Sequence, residues 1–270
     1  MKKIVLLLTL LTTLSVNALE LDIDMGTGIH YAGSNGKLVY KKDFWKDSSG
    51  DIDHETSANF YTWIEISSDQ AYWPKLRLET TQLKTEGKSL VHIAANGTVN
   101  TAIDAIENTL FININDTFYD SRLTMNTYEA FAFYEYFEES DTPSLGLGIG
   151  VKKFAFDYAV TIIDGLQFND TGGDLVPMLF FKTRHELDEK NADTKLAVQA
   201  EMKLYVFGDS NIYDYLIKVD FLMKYNETTD IGVEMGYKET FFDIKSADIA
   251  NVGGDMTSKG VYFGLVAHFR

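Results

Sequence analysis

Hydrophobic and polar residues alternate along most of the chain after residue 20, and this period of two is typical of β-strands with one apolar face. In residues 231–238, for example, Ile, Val, Met and Tyr alternate with Gly, Glu, Gly and Lys. Similar alternation recurs along the chain, which predicts about ten strands of roughly 9–12 residues. In the aromatic-rich stretch 123–137 the two faces cannot be told apart from the pattern.

Strand length and connection length together favour a membrane barrel. Strands of about 9–12 residues cross a bilayer at a tilt, whereas strands of soluble sheets have typically about 5–6 residues. Short connections (67–74, 138–144, 188–193, 226–229) alternate with long ones (31–57, 87–122, 158–175, 243–259). The predicted fold class is all-β: a closed antiparallel up-and-down transmembrane β-barrel of about ten strands, with short periplasmic turns and longer outer loops. Alternation alone also fits a soluble β-sandwich, so that alternative stays open.

The first residues have the form of a secretory signal. Lys2 and Lys3 precede the apolar run 4–14, and the small residues Val16 and Ala18 stand where a signal peptidase would cut. The apolar run is too short for a helix to cross about 30 Å of hydrocarbon. We expect a signal peptide at 1–18 and a barrel domain at 19–270.

Charge and cysteine content limit the possible partners. The chain has 24 Lys and Arg against 40 Asp and Glu, a net charge of −16, so nucleic acid is not expected as a partner. It has no Cys, which excludes disulfides, thiolate metal sites and a Cys nucleophile.

The polar face of the strands carries charged residues of both signs. If the apolar faces contact lipid, these side chains point into the lumen and neighbouring strands can pair them into a network. The predicted lumen-facing polar network is Lys75, Arg77, Glu79, Lys152, Lys182, Arg184, Glu201, Lys203, Lys218, Asp220, Glu234 and Lys238. A barrel of about 8 strands is filled by its own side chains, whereas an aqueous pore needs about 16. About ten strands therefore predict a narrow or plugged lumen.

The end of the chain resembles the C-terminal strand of bacterial outer-membrane barrels, which the barrel-assembly machinery reads. Its alternating apolar residues are Val261, Phe263, Leu265, Ala267 and the terminal aromatic Phe269. Arg270 after Phe269 departs from that pattern. With the stretches 177–184, 208–214 and 232–238, the mature chain resembles a family of small, mostly uncharacterised proteobacterial outer-membrane β-barrel proteins. The resemblance implies the cell outer membrane of a Gram-negative bacterium. The partners it implies are outer-membrane lipid and lipopolysaccharide, the barrel-assembly machinery and periplasmic chaperones.

Few residues suggest chemistry. The five His residues show no metal-ligand spacing, so no cofactor is expected. His54, in the acidic segment 51–55, is the one catalytic lead, but a solvated acidic loop is the ordinary explanation and no Ser motif supports catalysis. Segment 47–53 resembles a calcium loop, although Ile52 stands where Gly is required. Divalent cations remain possible at the acidic outer loops. Residues 99–106 fit either a short helix or a hairpin.

The sequence therefore predicts a non-enzymatic outer-membrane protein with a structural or surface-interaction role. Two alternatives stay open: a narrow porin-like channel for ions or small solutes, and a soluble secreted or periplasmic β-sandwich that binds a ligand.

Overall fold

The computed structural model describes residues 21–40, 48–70, 72–92, 117–137, 142–163, 166–187, 193–205, 210–244 and 252–270. Long runs of alternating residues place these ranges almost entirely in ten strands. The strands are β1 (Leu21–Tyr40), β2 (Ser48–Ser68), β3 (Lys75–His92), β4 (Thr117–Tyr136), β5 (Ser144–Ile163), β6 (Leu166–Leu187), β7 (Thr194–Tyr205), β8 (Asn211–Lys224), β9 (Thr229–Ile244) and β10 (Val252–Phe269).

The ten strands form one closed antiparallel barrel. Each strand pairs with the next in sequence, and β10 returns to pair with β1 from Ile23↔Phe269 to Tyr40↔Val252. The predicted fold class is therefore confirmed, and the alternative of a two-sheet sandwich is wrong. No helix in the described part of the chain is long and apolar enough to cross a membrane.

The two ends of the barrel differ. We call the end where β1 begins and β10 ends the turn end, because connections of a few residues join β2 to β3, β4 to β5, β6 to β7 and β8 to β9 there. The opposite end is the far end. Exposed aromatic side chains gather at the turn end, as in the interfacial girdle of a membrane barrel. They include Tyr72, Trp73, Tyr136 and Tyr225.

Above the turn end, the outer surface is an apolar belt. Ile149 and Leu265 are 67% and 63% exposed, whereas the neighbouring Lys152 and Val266 point inward and are buried. The exposed belt includes Ile29, Phe60, Leu76, Leu78, Leu145, Leu147, Val198, Met202, Ile217, Phe221, Ile231, Val233, Met235, Val261 and Phe263. This arrangement is the reverse of a soluble protein and matches a barrel surrounded by lipid.

Beyond the belt, towards the far end, the outer face of the strands is polar and the inner face is apolar. On β3, Lys84 and Glu86 are exposed on the outer surface while Leu83 is buried inside. The interior here holds an apolar cluster that includes Leu123, Met125, Phe154, Tyr158, Ile212, Phe242 and Met256. A polar outer wall around an apolar core is what water on the outside requires. The far part of the barrel therefore extends beyond the belt, and we call it the projecting part.

The predicted strand lengths and long connections need correction. Only β7, with 12 residues, falls within the predicted length, and β6 reaches 22 residues. Segment 31–57 is mostly strand, since β1 continues to Tyr40 and β2 begins at Ser48. Likewise, β5 and β6 occupy nearly all of 158–175, and the predicted connections 87–122 and 243–259 lose residues to their flanking strands. The outward residues of these strand segments are polar, so their sequence pattern is typical of loops.

Strands β7 and β8 are the shortest of the ten, with 12 and 14 residues. Among the described residues, the pairing of β6 with β7 ends at Leu179↔Leu204, and β6 continues from there towards the far end. Pro177 has no N–H to donate on this strand, and the Leu175 N–H donates to the Asp174 carboxylate at 2.7 Å. These residues block the exposed edge of β6 against further strand pairing.

The signal peptide predicted at 1–18 and the helix or hairpin predicted at 99–106 lie outside the described residues. Both stay predictions.

Candidate functional site

The lumen inside the apolar belt is filled with buried charged side chains. Among the described residues these side chains carry both signs. The buried basic groups are Arg77, Lys152, Lys182, Lys203, Lys218 and Lys238, and the buried acidic groups are Glu65, Glu79, Glu129, Glu201, Asp214, Asp220, Asp230 and Glu234.

Several ion pairs join opposite walls of the barrel. Lys182 on β6 contacts Glu65 on β2 at 2.6 Å, and Arg77 on β3 contacts Glu201 on β7 at 3.0 Å. Lys203 on β7 reaches Glu79 on β3 at 2.9 Å. The sequence predicted pairing between neighbouring strands. In the structure, ion pairs also cross the lumen, because inward side chains in such a narrow barrel meet near its axis.

Glu79 has three ion-pair partners, more than any other carboxylate in the described part of the network. Its Oε2 accepts from Lys203, its Oε1 accepts from Lys238, and it lies 3.5 Å from the Arg77 guanidinium. A buried carboxylate with several cationic partners stays ionised, because the partners replace the water that it has lost. Within the described part of the chain, Lys238 forms an ion pair only with Glu79, and it also donates to Thr81 Oγ1.

A second cluster surrounds Trp63. Its indole N–H donates to Glu234 at 3.0 Å, and Tyr61 donates to the same carboxylate at 2.7 Å. The Arg77 guanidinium and the Lys218 ammonium lie 4.6 Å and 4.4 Å from the Trp63 ring centroid. Cations next to an aromatic face are attracted by the ring quadrupole, so the indole separates two like charges while it binds both.

The structure places all twelve predicted network residues on the inner face. Ten are buried, whereas Lys75 and Arg184 are half-buried near the turn end. Sequence reasoning omitted Glu65, Glu129 and Asp214, although each lies at an inward position of its strand. Glu65 and Asp214 follow the alternation of their strands, which could have identified them. Glu129 lies in 123–137, where apolar residues occupy both faces.

Little open space remains along the described lumen. A cavity of about 10 Å³ lies among the side chains of the belt. Nearer the turn end, the lumen widens into a charged vestibule of about 340 Å³, lined by both acidic and basic residues. Arg184 in its wall contacts Asp220 at 2.8 Å, and Lys75 contacts Glu135 at 2.8 Å. The vestibule leads to the layer of cross-lumen ion pairs.

His54 lies inside the projecting part of the barrel. It belongs to strand β2, so the expectation of a solvated loop at 51–55 is wrong. Its Nε2 lies 2.6 Å from Ser121 Oγ and its Nδ1 lies 2.9 Å from Thr85 Oγ1. Burial lowers the pKa of His54 to about 4, against the opposing effect of Asp53 and Glu86. The imidazole is therefore neutral at pH 7, with hydroxyl partners for both nitrogens.

The acidic residues of the projecting part lie on its outer surface. Residues 48–53 of the calcium-like segment are in β2, not in a loop. Asp53, Glu86 and Asp120 line an outer groove of about 650 Å³, together with Lys88 and Arg122. The described residues contain no group of three or more His, Asp or Glu placed to hold a metal ion. Divalent-cation binding stays a prediction.

The predicted C-terminal signal lies on the lipid-facing side of β10. Val261, Phe263, Leu265 and Phe269 are exposed, and Ala267 is half-exposed. Arg270 continues beyond the strand and contacts Asp230 at 2.9 Å. The seam between β10 and β1 therefore ends with an ion pair to β9.

No protein-family model and no curated protein matches the chain. Among solved structures, the outer membrane protease OmpT from Escherichia coli is similar with a TM-score of 0.51 at 10% identity, over 94% of this chain and 99% of that one. The translocator domain of the autotransporter NalP from Neisseria meningitidis gives a TM-score of 0.41 at 7% identity, over 100% and 95%. The AIDA-I transport unit from Escherichia coli gives 0.40 at 9% identity, over 95% and 91%. At such identities the likeness shows the fold alone. The chain has the fold of outer-membrane β-barrel proteins.

Proposed function

We propose that the protein resides in the outer membrane as a closed barrel with a structural or surface-interaction role. The turn end faces the periplasm, and the projecting part presents its polar wall outside the lipid. The observation that carries the proposal is the layer of cross-lumen ion pairs, such as Lys182 with Glu65 and Arg77 with Glu201. A solute would have to separate buried charges to pass, and each such separation costs several kcal/mol, about 3–5 for a broken pair.

The finer parts of the proposal follow from the sequence. An N-terminal signal peptide would export the chain, and the alternating apolar residues up to Phe269 would present it to the barrel-assembly machinery. Lipid and lipopolysaccharide would surround the belt. Membership in the family of small, uncharacterised proteobacterial barrels belongs to the same proposal. Detergent-dependent extraction from outer-membrane fractions tests the location, because a periplasmic protein would be released without detergent.

Single-channel recording of the refolded protein in planar bilayers tests the closed lumen. We expect no discrete conductance from the wild type. A variant with Glu79, Glu201, Lys203 and Lys238 all changed to Ala removes bulk and charge from the layer, so we expect it to conduct. The matched control changes the exposed pair Lys84 and Glu86 to Ala and should remain silent.

A narrow channel is the rival reading. It predicts discrete openings of the wild type, with a conductance or ion selectivity that shifts when Lys182 or Arg184 is changed to a neutral residue. That result would overturn the closed-lumen proposal.

A further inference from the structure

A small cavity among the side chains of the belt is lined by buried polar atoms that have no hydrogen-bond partner among the described residues. Its volume is about 10 Å³, and His30, Arg77 and Tyr262 are among its lining residues. His30 on β1 lies directly opposite Tyr262 on β10, and Arg77 reaches the cavity from β3. The cavity therefore lies next to the seam where β10 pairs with β1, and Arg77 connects it to the ion pairs of β3.

Three groups have unmet hydrogen-bonding capacity there. Among the described residues, Tyr262 Oη and Arg77 Nε have no hydrogen-bond partner. Neither ring nitrogen of His30 forms a hydrogen bond of ordinary geometry, although the ring lies close to the Gly260 backbone. The side chains are almost completely buried, with exposures of 3%, 2% and 5% for Tyr262, Arg77 and His30. A buried polar atom without a partner is destabilising, so several such atoms at one place favour a bound molecule between them.

Charge and size define the class of that molecule. The Glu79 carboxylate lines the cavity and disfavours an anion, while Arg77, Lys218 and Lys238 disfavour a cation. A neutral imidazole offers one donor and one acceptor, so the ligand must both donate and accept. A volume of about 10 Å³ is close to the least that holds one water molecule.

We propose that a single water molecule is bound in this cavity and bridges His30, Tyr262 and Arg77. The water completes the polar packing where β1 meets β10 and links that seam to the ion pairs of β3. This site deepens the proposed closed lumen and rests on it, because a water-filled pore would hold no isolated water.

Radiolytic hydroxyl-radical labelling of the folded protein tests the site. X-ray activation of a bound water labels the side chains beside it even when they are shielded from solvent. We expect label on Tyr262 and none on Phe180, which is fully buried in the apolar cluster. In the His30→Leu variant, labelling of Tyr262 should fall to the level of Phe180. Tyr262 unlabelled in the wild type, or equally labelled in the variant, overturns the site.

Rapid transfer of the protein into ¹⁸O-labelled water distinguishes a failure of the proposed water site from a failure of the closed lumen. A trapped water should exchange more slowly than the solvent at the exposed Tyr225, so ¹⁸O should enter the Tyr262 label later. Exchange as fast as at Tyr225 would show an open lumen and contradict both the water site and the closed lumen.

Heat-modifiable migration on gels identifies folded protein, and Tyr262→Phe offers a second variant should His30→Leu not fold. With Tyr262→Phe, label should persist on the cavity-lining Tyr61, and loss of it to the level of Phe180 would overturn the site.

Discussion

Removing the Glu79 carboxylate should destabilise the barrel more than any change at an exposed charge. Glu79→Gln keeps the shape of the side chain but leaves Lys203, Lys238 and Arg77 with one negative partner fewer. A buried pair broken on one side costs about 3–5 kcal/mol, because the remaining charge stays buried without compensation. We expect a loss of that order in the free energy of unfolding.

The matched control is Glu86→Gln. Glu86 is 65% exposed and lies 3.6 Å from Lys84, so its ion pair is screened by water. Exposed pairs contribute about 0–1 kcal/mol, and the control should change stability by no more than that. Urea unfolding in detergent micelles measures both variants, with tryptophan fluorescence as the signal because Trp63 lies inside the network.

A double variant tests whether the network itself is the cause. Lys238 has Glu79 as its ion-pair partner, so Lys238→Met in the Glu79→Gln background removes a charge that has lost its partner. The double variant should be more stable than Glu79→Gln alone, with a coupling of about 0.5–3 kcal/mol. The network is not the cause if Glu79→Gln lowers the free energy of unfolding by no more than Glu86→Gln does. The same holds if Lys238→Met destabilises the Glu79→Gln variant as much as it destabilises the wild type.

Three further predictions concern other parts of the barrel. The pKa of His54 is about 4 in the fold and about 6.5 when unfolded, so the unfolded chain binds more protons between these values and stability should fall as pH drops from about 6.5 to 4. In His54→Gln, stability should fall less over this range than in the wild type, and an unchanged slope would contradict the prediction. A fluorophosphonate probe should leave Ser121 unlabelled, since this hydroxyl is buried beside His54; labelling would instead indicate an active serine. Val233→Arg places a charge on the belt and should cost about 2–4 kcal/mol, whereas Gln82→Arg on the projecting wall should cost little; equal costs would exclude lipid at Val233.

The belt could be predicted from the sequence because one physical rule governs it. Along 231–238, apolar residues face lipid and polar or small residues face the lumen, so the period of two is regular. The number of strands and the closed topology follow from counting such segments. In 123–137 the rule fails, because Phe131 and Phe133 point inward while Tyr128 and Tyr134 point outward. Aromatic residues on both faces remove the alternation.

The projecting part could not be predicted because the rule reverses there. Polar outward residues such as Lys84 and Glu86 are next to buried residues such as Leu83, and the same chain passes from lipid to water within one strand. Polar residues in a row along such a segment are also typical of a loop, so the pattern does not distinguish the two. The cross-lumen partners were likewise hidden, because the contact of Lys182 with Glu65 depends on barrel diameter and stagger, which alternation does not encode.

Accessibility scanning of β9 tests the central claim most directly. The chain has no native Cys, so single Cys substitutions at 231–238 can each carry a nitroxide label. In lipid, labels at 231, 233, 235 and 237 should collide readily with oxygen, which concentrates in hydrocarbon. Labels at 232, 234, 236 and 238 should be shielded from both oxygen and a water-soluble nickel complex. Access of the nickel complex to the even positions, or loss of the period of two, would contradict a lipid-surrounded barrel whose charges close its lumen.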